Sequence, residues 1–269
     1  VLGCAAEVTG DLPADYVPPL TNKFPLVQTF RIVQPSNYAR TVLIEAVQDA
    51  GVKVDAPAVG FNPVGLLPPP NSYPADTKIA ELTGLPYSDD AKLILKVSHN
   101  LGADTSLLLF GVTQGVNNMG DALVVERNNL VSNYGIPGDE FQFVDGSGGG
   151  FTGATNGAVT KMLLDMIAKP AFPSFFAALP ILGVDGLTPD FESDPTLAGA
   201  VGQVTAKGGT FVLGPVLKAQ GFGGYIKTRT GKQLVYALEV NEIPFSGLSD
   251  LIRVIQDQST IAAILWRDY

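Results

Sequence analysis

This sequence predicts an α+β fold, and three observations carry that reading. Apolar residues recur at three- and four-residue steps over much of positions 35–168. After Val201 the texture changes to strand-like runs separated by turn residues, and an amphipathic stretch closes the chain. A helical middle, then a meander, then a closing helix is the order of an α+β domain rather than of a regularly alternating parallel sheet.

In order along the chain, residues 1–34 read as extended structure with turns, Phe30-Arg31-Ile32-Val33 alternating most clearly. A helix follows Pro35, with Ala39, Val42, Leu43, Ala46, Val47 and Ala50 on one stripe and Gly51 as its stop. Pro63, Pro68, Pro69, Pro70 and Pro74 make 55–74 an ordered loop or linker. Asp89 to Gly115 is a helical block broken near Ser98-His99-Asn100 and Gly102, and Gly120 to Tyr134 is a further helix ending at Gly135. Phe141 to Val144 reads as a short strand, and 156–168 as a helix stopped by Pro170. Val201 to Val212, Gly221 to Lys227 and Lys232 to Asn241 are strands, the last two joined by the polar turn Thr228-Arg229-Thr230-Gly231. Gly247 to about Trp266 closes the chain as a helix with Leu248, Leu251, Ile252, Ile255, Ile261 and Leu265 along one face.

Composition narrows the function. The chain has 269 residues, 46% hydrophobic and only 16% charged, enough for a large core and too apolar for disorder. Lys and Arg number 17 against 26 Asp and Glu, a net charge of −9. That argues against nucleic acid and against an anionic membrane surface as partners. One histidine and one cysteine cannot furnish the usual zinc sites, so neither a metal nor another cofactor is expected. Val1-Leu2-Gly3-Cys4 has the shape of the end of a lipoprotein signal, but no charged and apolar segment precedes it here. No stretch reaches the roughly 18 apolar residues that a transmembrane helix needs.

The glycine run Gly148-Gly149-Gly150-Phe151-Thr152-Gly153 formally matches G-x-G-x-x-G between a strand and a helix. Without a βαβ repeat or an acidic residue about 20 positions on, it does not read as a dinucleotide site. His99 lacks a G-x-S-x-G elbow to serve, so it reads as structural. More specific is the pair of Ser98-His99-Asn100, in a helical region, with Lys207-Gly208-Gly209-Thr210, inside a strand. A hydroxyl, an amide and an ammonium meeting in a cleft suit acyl transfer through a serine ester, and two glycines on an exposed strand let a peptide approach closely. Taken singly these are short patterns, equally at home as a helix cap and a strand bulge.

Five landmarks in a fixed order add a family to this reading. They are Pro35…Tyr38-Ala39 leading to Ala50-Gly51-Val52; Ile94 to Leu101; Asp145-Gly146-Ser147-Gly148; Leu179 to Gly186; and Ala206-Lys207-Gly208-Gly209-Thr210 followed by Gly224-Tyr225-Ile226 and Ala237 to Asn241. Over about residues 20–255 the chain resembles the C-terminal part of the D-alanyl-D-alanine carboxypeptidase/endopeptidase family of the penicillin-binding protein 4 type. The resemblance implies a serine beta-lactamase/transpeptidase-like fold, an antiparallel sheet flanked by helices plus a helical lobe. Residues 36–269 would form the C-terminal portion of that domain, and residues 1–35 the end of an inserted β-rich domain.

By the same resemblance, Ser98 and Lys207 are the expected catalytic residues, with Ser98 relaying protons and Lys207 orienting the substrate carboxylate. Asn100, Gly208, Gly209 and Thr210 are expected to bind substrate, the N–H of Thr210 forming half of an oxyanion hole. Asp145 and Ser147 would shape the neighbouring loop. Expected partners are peptidoglycan stem peptides or beta-lactams, and the expected location is extracytoplasmic: periplasmic, secreted or cell-wall associated.

Two departures qualify the match. No serine here has lysine three positions later, so the family's S-x-x-K nucleophile is expected from an upstream segment or a second chain. Gly208 stands where K-T-G has threonine, removing a hydroxyl whose hydrogen bond to a charged group is worth about 1.5–3 kcal/mol. Both departures also fit the alternative, a non-catalytic binding or scaffold protein that keeps the fold.

Overall fold

The computed structural model describes residues 9–11, 13–16, 32–69, 72–186 and 195–269. The extended structure and inserted-domain tail expected over residues 1–35 therefore lie largely outside the described residues. The chain divides into two compact units, Val1–Thr83 and Gly84–Tyr269.

In the first unit, Pro35 at the first helical turn starts α1 (Pro35–Asp49), where its missing N–H costs nothing. The polar face of α1 does the fastening. Arg40 Nη1 donates to the carbonyls of Pro57 and Ala58, both at 2.8 Å, and the buried Thr41 hydroxyl donates to Ala58 O at 2.9 Å. Val42 and Leu43, placed on an apolar stripe by their spacing, are exposed. Among the described residues of the proline-rich stretch and its end, regular structure is limited to two short 3₁₀ turns, Val64–Leu66 and Ala75–Thr77.

The second unit opens with α2 (Tyr87–Val97), α3 (Asn100–Thr113) and α4 (Met119–Tyr134). Asn118 caps α4 by accepting from Asp121 N, and Gly135, at φ 59°, ends it. A two-residue ladder pairs β1 (Phe141–Gln142) with β2 (Gly153–Ala154), folding the glycine run between them into a hairpin loop. Helix α5 (Asn156–Ile167) follows. Helix α6 (Phe172–Ala178) is one that periodicity did not reveal: Pro173 sits in its first turn, where it starts a helix rather than breaking one.

Strands β3 (Val204–Leu213), β4 (Val216–Lys227) and β5 (Gln233–Pro244) form an antiparallel sheet in the order β3-β4-β5. One face carries Val204, Ala206, Phe222, Ile226 and Tyr236 against Ala262 of α7 (Leu248–Asp268). Filling such a site with a leucine or isoleucine is worth roughly 1.5–3 kcal/mol. The face of α7 that meets the sheet mixes small and polar residues with Leu265 and Trp266. Ala262 is fully buried against the sheet and Ala263 against Leu197 and Ala200, and Gln258 Nε2 donates to the strand carbonyl of Gln220 at 2.8 Å. Of the stripe expected from sequence, Leu265 packs on the sheet cluster while Leu248 and Ile261 are exposed. On the opposite sheet face Tyr225 packs edge-on against Phe172 and donates its hydroxyl to Leu163 O at 2.7 Å, tying the sheet to α5 and α6. The unit thus has the α+β order expected from the sequence.

Candidate functional site

Helices α2 and α3 are joined by Ser98 and His99 alone. Ser98 takes left-handed backbone angles, φ 54° and ψ 52°, uncommon for a residue with a side chain and costing on the order of 1–2 kcal/mol. His99 N donates to Ile94 O at 2.9 Å, closing α2, while His99 Nδ1 accepts from Gly102 N at 3.1 Å and caps α3. The imidazole is therefore the N-cap of α3, a structural role. Gly102 lies inside α3 rather than breaking it. A Cβ there would lie 2.6 Å from Ile94 Cγ1 and 2.8 Å from His99 Nδ1, so the tight turn needs a glycine.

This turn presents Ser98 to the sheet. Lys207 Nζ donates to Ser98 Oγ at 2.8 Å, across 109 residues of sequence, and also to Gly208 O. Burial holds the Lys207 ammonium below the ordinary lysine range, because a charge taken from water is disfavoured. Asn100 opens α3 two residues beyond Ser98, on its exposed surface.

The strand that carries Lys207 has an edge that is half covered. Ala206 N donates to Pro180 O and Val204 O accepts from Leu182 N, both at 2.9 Å, so Pro180–Leu182 occupies the edge as far as Ala206. Backbone groups alternate along a strand, so the N–H and C=O of Gly208 and Thr210 point to the same outer edge. Beyond Ala206 no backbone of the described residues pairs with that edge, and this stretch begins beside the Ser98–Lys207 pair. Thr210's hydroxyl is engaged with Gln220 Oε1, which leaves its N–H as the edge donor.

A lysine that sequence reasoning did not single out fastens the covering segment. Lys96, near the end of α2, donates to Leu179 O at 2.6 Å and to both Asp185 oxygens at 2.7 and 2.8 Å. Burial pushes the Asp185 carboxyl up. The Lys96 hydrogen bond, the Ile181 N–H and the Lys96 charge outweigh that and leave it below the usual carboxylate range. Gly186, at φ 79°, closes this turn, where a Cβ would lie 2.6 Å from Pro180 Cβ. The only signal in the sequence was a lysine inside the apolar run Leu93 to Val97.

Asp145 organises the glycine loop. Its Oδ1 accepts from the N–H groups of Ser147, Gly148 and Gly149 at 3.0, 2.7 and 3.0 Å. The N–H groups that a phosphate would need are therefore already bonded to a carboxylate of the chain itself, and the loop is a capped turn. Gly146 N donates to Asp104 Oδ1 at 3.0 Å, and a Cβ on Gly146 would lie 2.7 Å from Ala103 O, so the loop docks flush on α3. Asp104 lies one turn after Asn100, on the same helix face. Asp104 was not foreseen, since nothing local marks a helical aspartate as a tether.

Helices α2 to α6 also surround a mainly apolar cavity of about 640 Å³, lined by Ile94, Leu95, Leu107, Phe110, Met162 and Phe175 among others. Glu126 stands in its wall, its carboxyl pushed up to about 7 by burial, with Oε2 unpartnered among the described residues. The described residues hold no cluster of three His, Cys, Asp or Glu side chains able to bind a metal, and no helix among them is long and apolar enough to cross a membrane.

Comparison with known proteins gives these contacts a context. The sequence model of the D-Ala-D-Ala carboxypeptidase 3 (S13) family matches residues 5–257. Penicillin binding protein 4 (dacB) of Haemophilus influenzae is similar at 21% identity and a TM-score of 0.50, over 65% of this chain and 39% of that one. The same protein complexed with a beta-lactam matches at 20% identity and a TM-score of 0.48, over 66% and 41% of the two chains. A class A beta-lactamase representative from Bacteroides cellulosilyticus matches at 15% identity and 0.45, over 68% and 64%. The chain thus spans about two fifths of the length of the penicillin binding protein 4 structures it matches, and the first of these likenesses gives it a serine transpeptidase-like fold. No curated protein matches it in sequence.

Proposed function

Since the chain belongs to the D-Ala-D-Ala carboxypeptidase 3 (S13) family, we propose that it carries the relay and substrate edge of a D-alanyl-D-alanine carboxypeptidase/endopeptidase of cell-wall peptidoglycan. The single observation that carries this reading is the 2.8 Å hydrogen bond from Lys207 to Ser98, beside a strand edge left unpaired by the described residues. A stem peptide lies along that edge, pairing with the backbone of Gly208 and Thr210 as an added strand. A serine from an upstream S-x-x-K segment attacks the penultimate D-alanine carbonyl. The C–N bond breaks, and the departing D-alanine nitrogen takes a proton relayed by the Ser98 hydroxyl. Thr210 N–H stabilises the oxyanion, Asn100 binds the substrate amide, and the Asp145–Ser147 turn holds the adjoining loop against α3. Such work belongs outside the cytoplasm, where peptidoglycan is.

The apolar cavity among α2 to α6 supports a further helix from the same polypeptide seating in this unit, since the match covers only 39% of the similar chain. A second reading, a non-catalytic peptide-binding protein, is favoured by Gly208 and by the lack of any serine followed three positions later by lysine.

Release of D-alanine from a D-Ala-D-Ala pentapeptide by a polypeptide extended through the upstream S-x-x-K separates the two. The enzyme reading expects turnover that falls at least 100-fold in Ser98→Ala and in Lys207→Ala. Binding without release of D-alanine selects the second reading.

A further inference from the structure

On the sheet face that meets α7, three rungs run across the strands. Ala206 pairs with Gly224 and on to Tyr236, Gly208 with Phe222 and Leu238, and Thr210 with Gln220 and Val240. Ala206, Phe222 and Tyr236 belong to the cluster packed on Ala262, with Leu238 against it. The third rung departs from this. It sets a threonine opposite a glutamine that is only 2% exposed. A buried amide is costly unless both of its ends are bonded, and an apolar residue would fill the site without that cost.

Gln220 is bonded at both ends, and the bonds fix which way its amide is turned. Its Nε2 donates to Gly221 O at 3.2 Å, which leaves Oε1 to accept from the Thr210 hydroxyl. A second buried amide, Gln258 of α7, donates through Nε2 to Gln220 O at 2.8 Å and to Leu238 O at 3.4 Å. A line of amides therefore runs from α7 through β4 to Thr210. There it meets the least supported part of β3. The outer edge has no backbone partner at Thr210 among the described residues, and the register shifts between Phe211 and Val212, immediately beyond. A bulge beside an unpaired edge increases the local twist of a strand. The N–H and C=O of Thr210 point outward, away from Gln220, so the side-chain bond is what ties this rung together.

We propose that Gln220 is a positioning residue for the oxyanion donor, setting the direction of the Thr210 N–H by holding the Thr210 hydroxyl. The proposal rests on the peptidase reading above and adds to it a residue that acts without touching substrate. An oxyanion donor works within about 2.7–3.1 Å of the forming charge, and a misplacement of about 1 Å can cost roughly 100-fold in rate. The hydroxyl has one proton and gives it to Gln220, so the N–H is the donor that Thr210 offers to the substrate.

The test is release of D-alanine from a D-Ala-D-Ala pentapeptide by the polypeptide extended through the upstream S-x-x-K, with kcat, KM and the thermal midpoint read separately. Gln220→Met keeps the length of the side chain and removes its acceptor. Thr210 is exposed, so its freed hydroxyl is hydrated and the midpoint is expected to hold. The kcat is expected to fall about tenfold or more, with KM within about threefold of the parent. Thr210→Val, which keeps the N–H, is expected to give the same loss, and the double variant no further one, because both changes cut one bond. Gln220→Glu restores the acceptor oxygen and is expected to recover most of kcat. Three results overturn the positioning role and leave the peptidase reading standing: parent-like kcat in both single variants, additive losses in the double, or a loss that follows the midpoint and is not rescued by Gln220→Glu. A parent that releases no D-alanine overturns both.

Discussion

Ser98 and Lys207 lie 109 residues apart in sequence and 2.8 Å apart in space, joined by a hydrogen bond from Nζ to Oγ. Each end is held at a cost to the fold. Ser98 has left-handed backbone angles, and the Lys207 ammonium is partly stripped of water. Features of this kind persist where function requires them.

Lys207→Met keeps the methylene stem and removes the buried charge. Since the folded-state pKa of Lys207 lies below its unfolded value, the folded chain releases a proton more readily than the unfolded one. The penalty is fully present at neutral pH and is relieved as pH rises towards the unfolded lysine value of about 10.4. Urea unfolding at pH 7 is therefore expected to show Lys207→Met as stable as the parent or more so, while binding of D-Ala-D-Ala peptides is lost. A drop of more than about 2 kcal/mol in the variant would mean that the lysine is structural.

Lys96 predicts an acid-sensitive clamp. Lys96→Met removes donors to Leu179 O and Asp185, and is expected to cost about 1–2 kcal/mol at pH 7. Asp185 is held below its ordinary pKa, so its share of the stability is present above the unfolded value of about 4 and lost as pH falls through the folded-state value. Unfolding curves of parent and Asp185→Asn should accordingly converge at low pH. A gap that persists or widens on acidification contradicts the clamp.

Two glycines of the sheet should respond in opposite ways. A Cβ at Gly208 meets nothing closer than 3.7 Å, whereas one at Gly224 would collide with the Thr205 carbonyl. Gly208→Thr is expected to stay within about 1 kcal/mol of the parent, and Gly224→Ala to lose about 3 kcal/mol or more. Similar midpoints for the two variants in thermal melts would show that the edge beyond Lys207 is not open as described.

Where a signal was local, the sequence could be read closely. Pro35, Gly135 and the turn at Thr228–Gly231 mark boundaries found within a few residues, because capping and turn chemistry are written in neighbouring positions. The two segments that meet at the site were found through the order of short motifs, since neither Ser98 nor Lys207 carries a local sign of the other. What escaped was tertiary. Pro173 read as an interruption until its place in the first turn of α6 was known. The inward face of α7 includes Ala262, Ala263 and Gln258, which hydropathy ranks below the exposed Leu248 and Ile261. Asp104 and Lys96 matter only through partners remote in sequence.

Labelling with fluorescent penicillin, followed by intact mass and peptide mapping, tests the central claim most directly. Acylation needs an activated hydroxyl whose own N–H completes the oxyanion hole, and the proposed function makes Ser98 a relay rather than that hydroxyl. Residues 1–269 alone are therefore expected to carry no adduct. A polypeptide extended through an upstream S-x-x-K is expected to label slowly at that serine, faster with Gly208→Thr and not at all with Lys207→Ala. A stable penicilloyl adduct on Ser98 of the 269-residue chain would contradict the account, because the residue assigned to proton relay would then be the nucleophile.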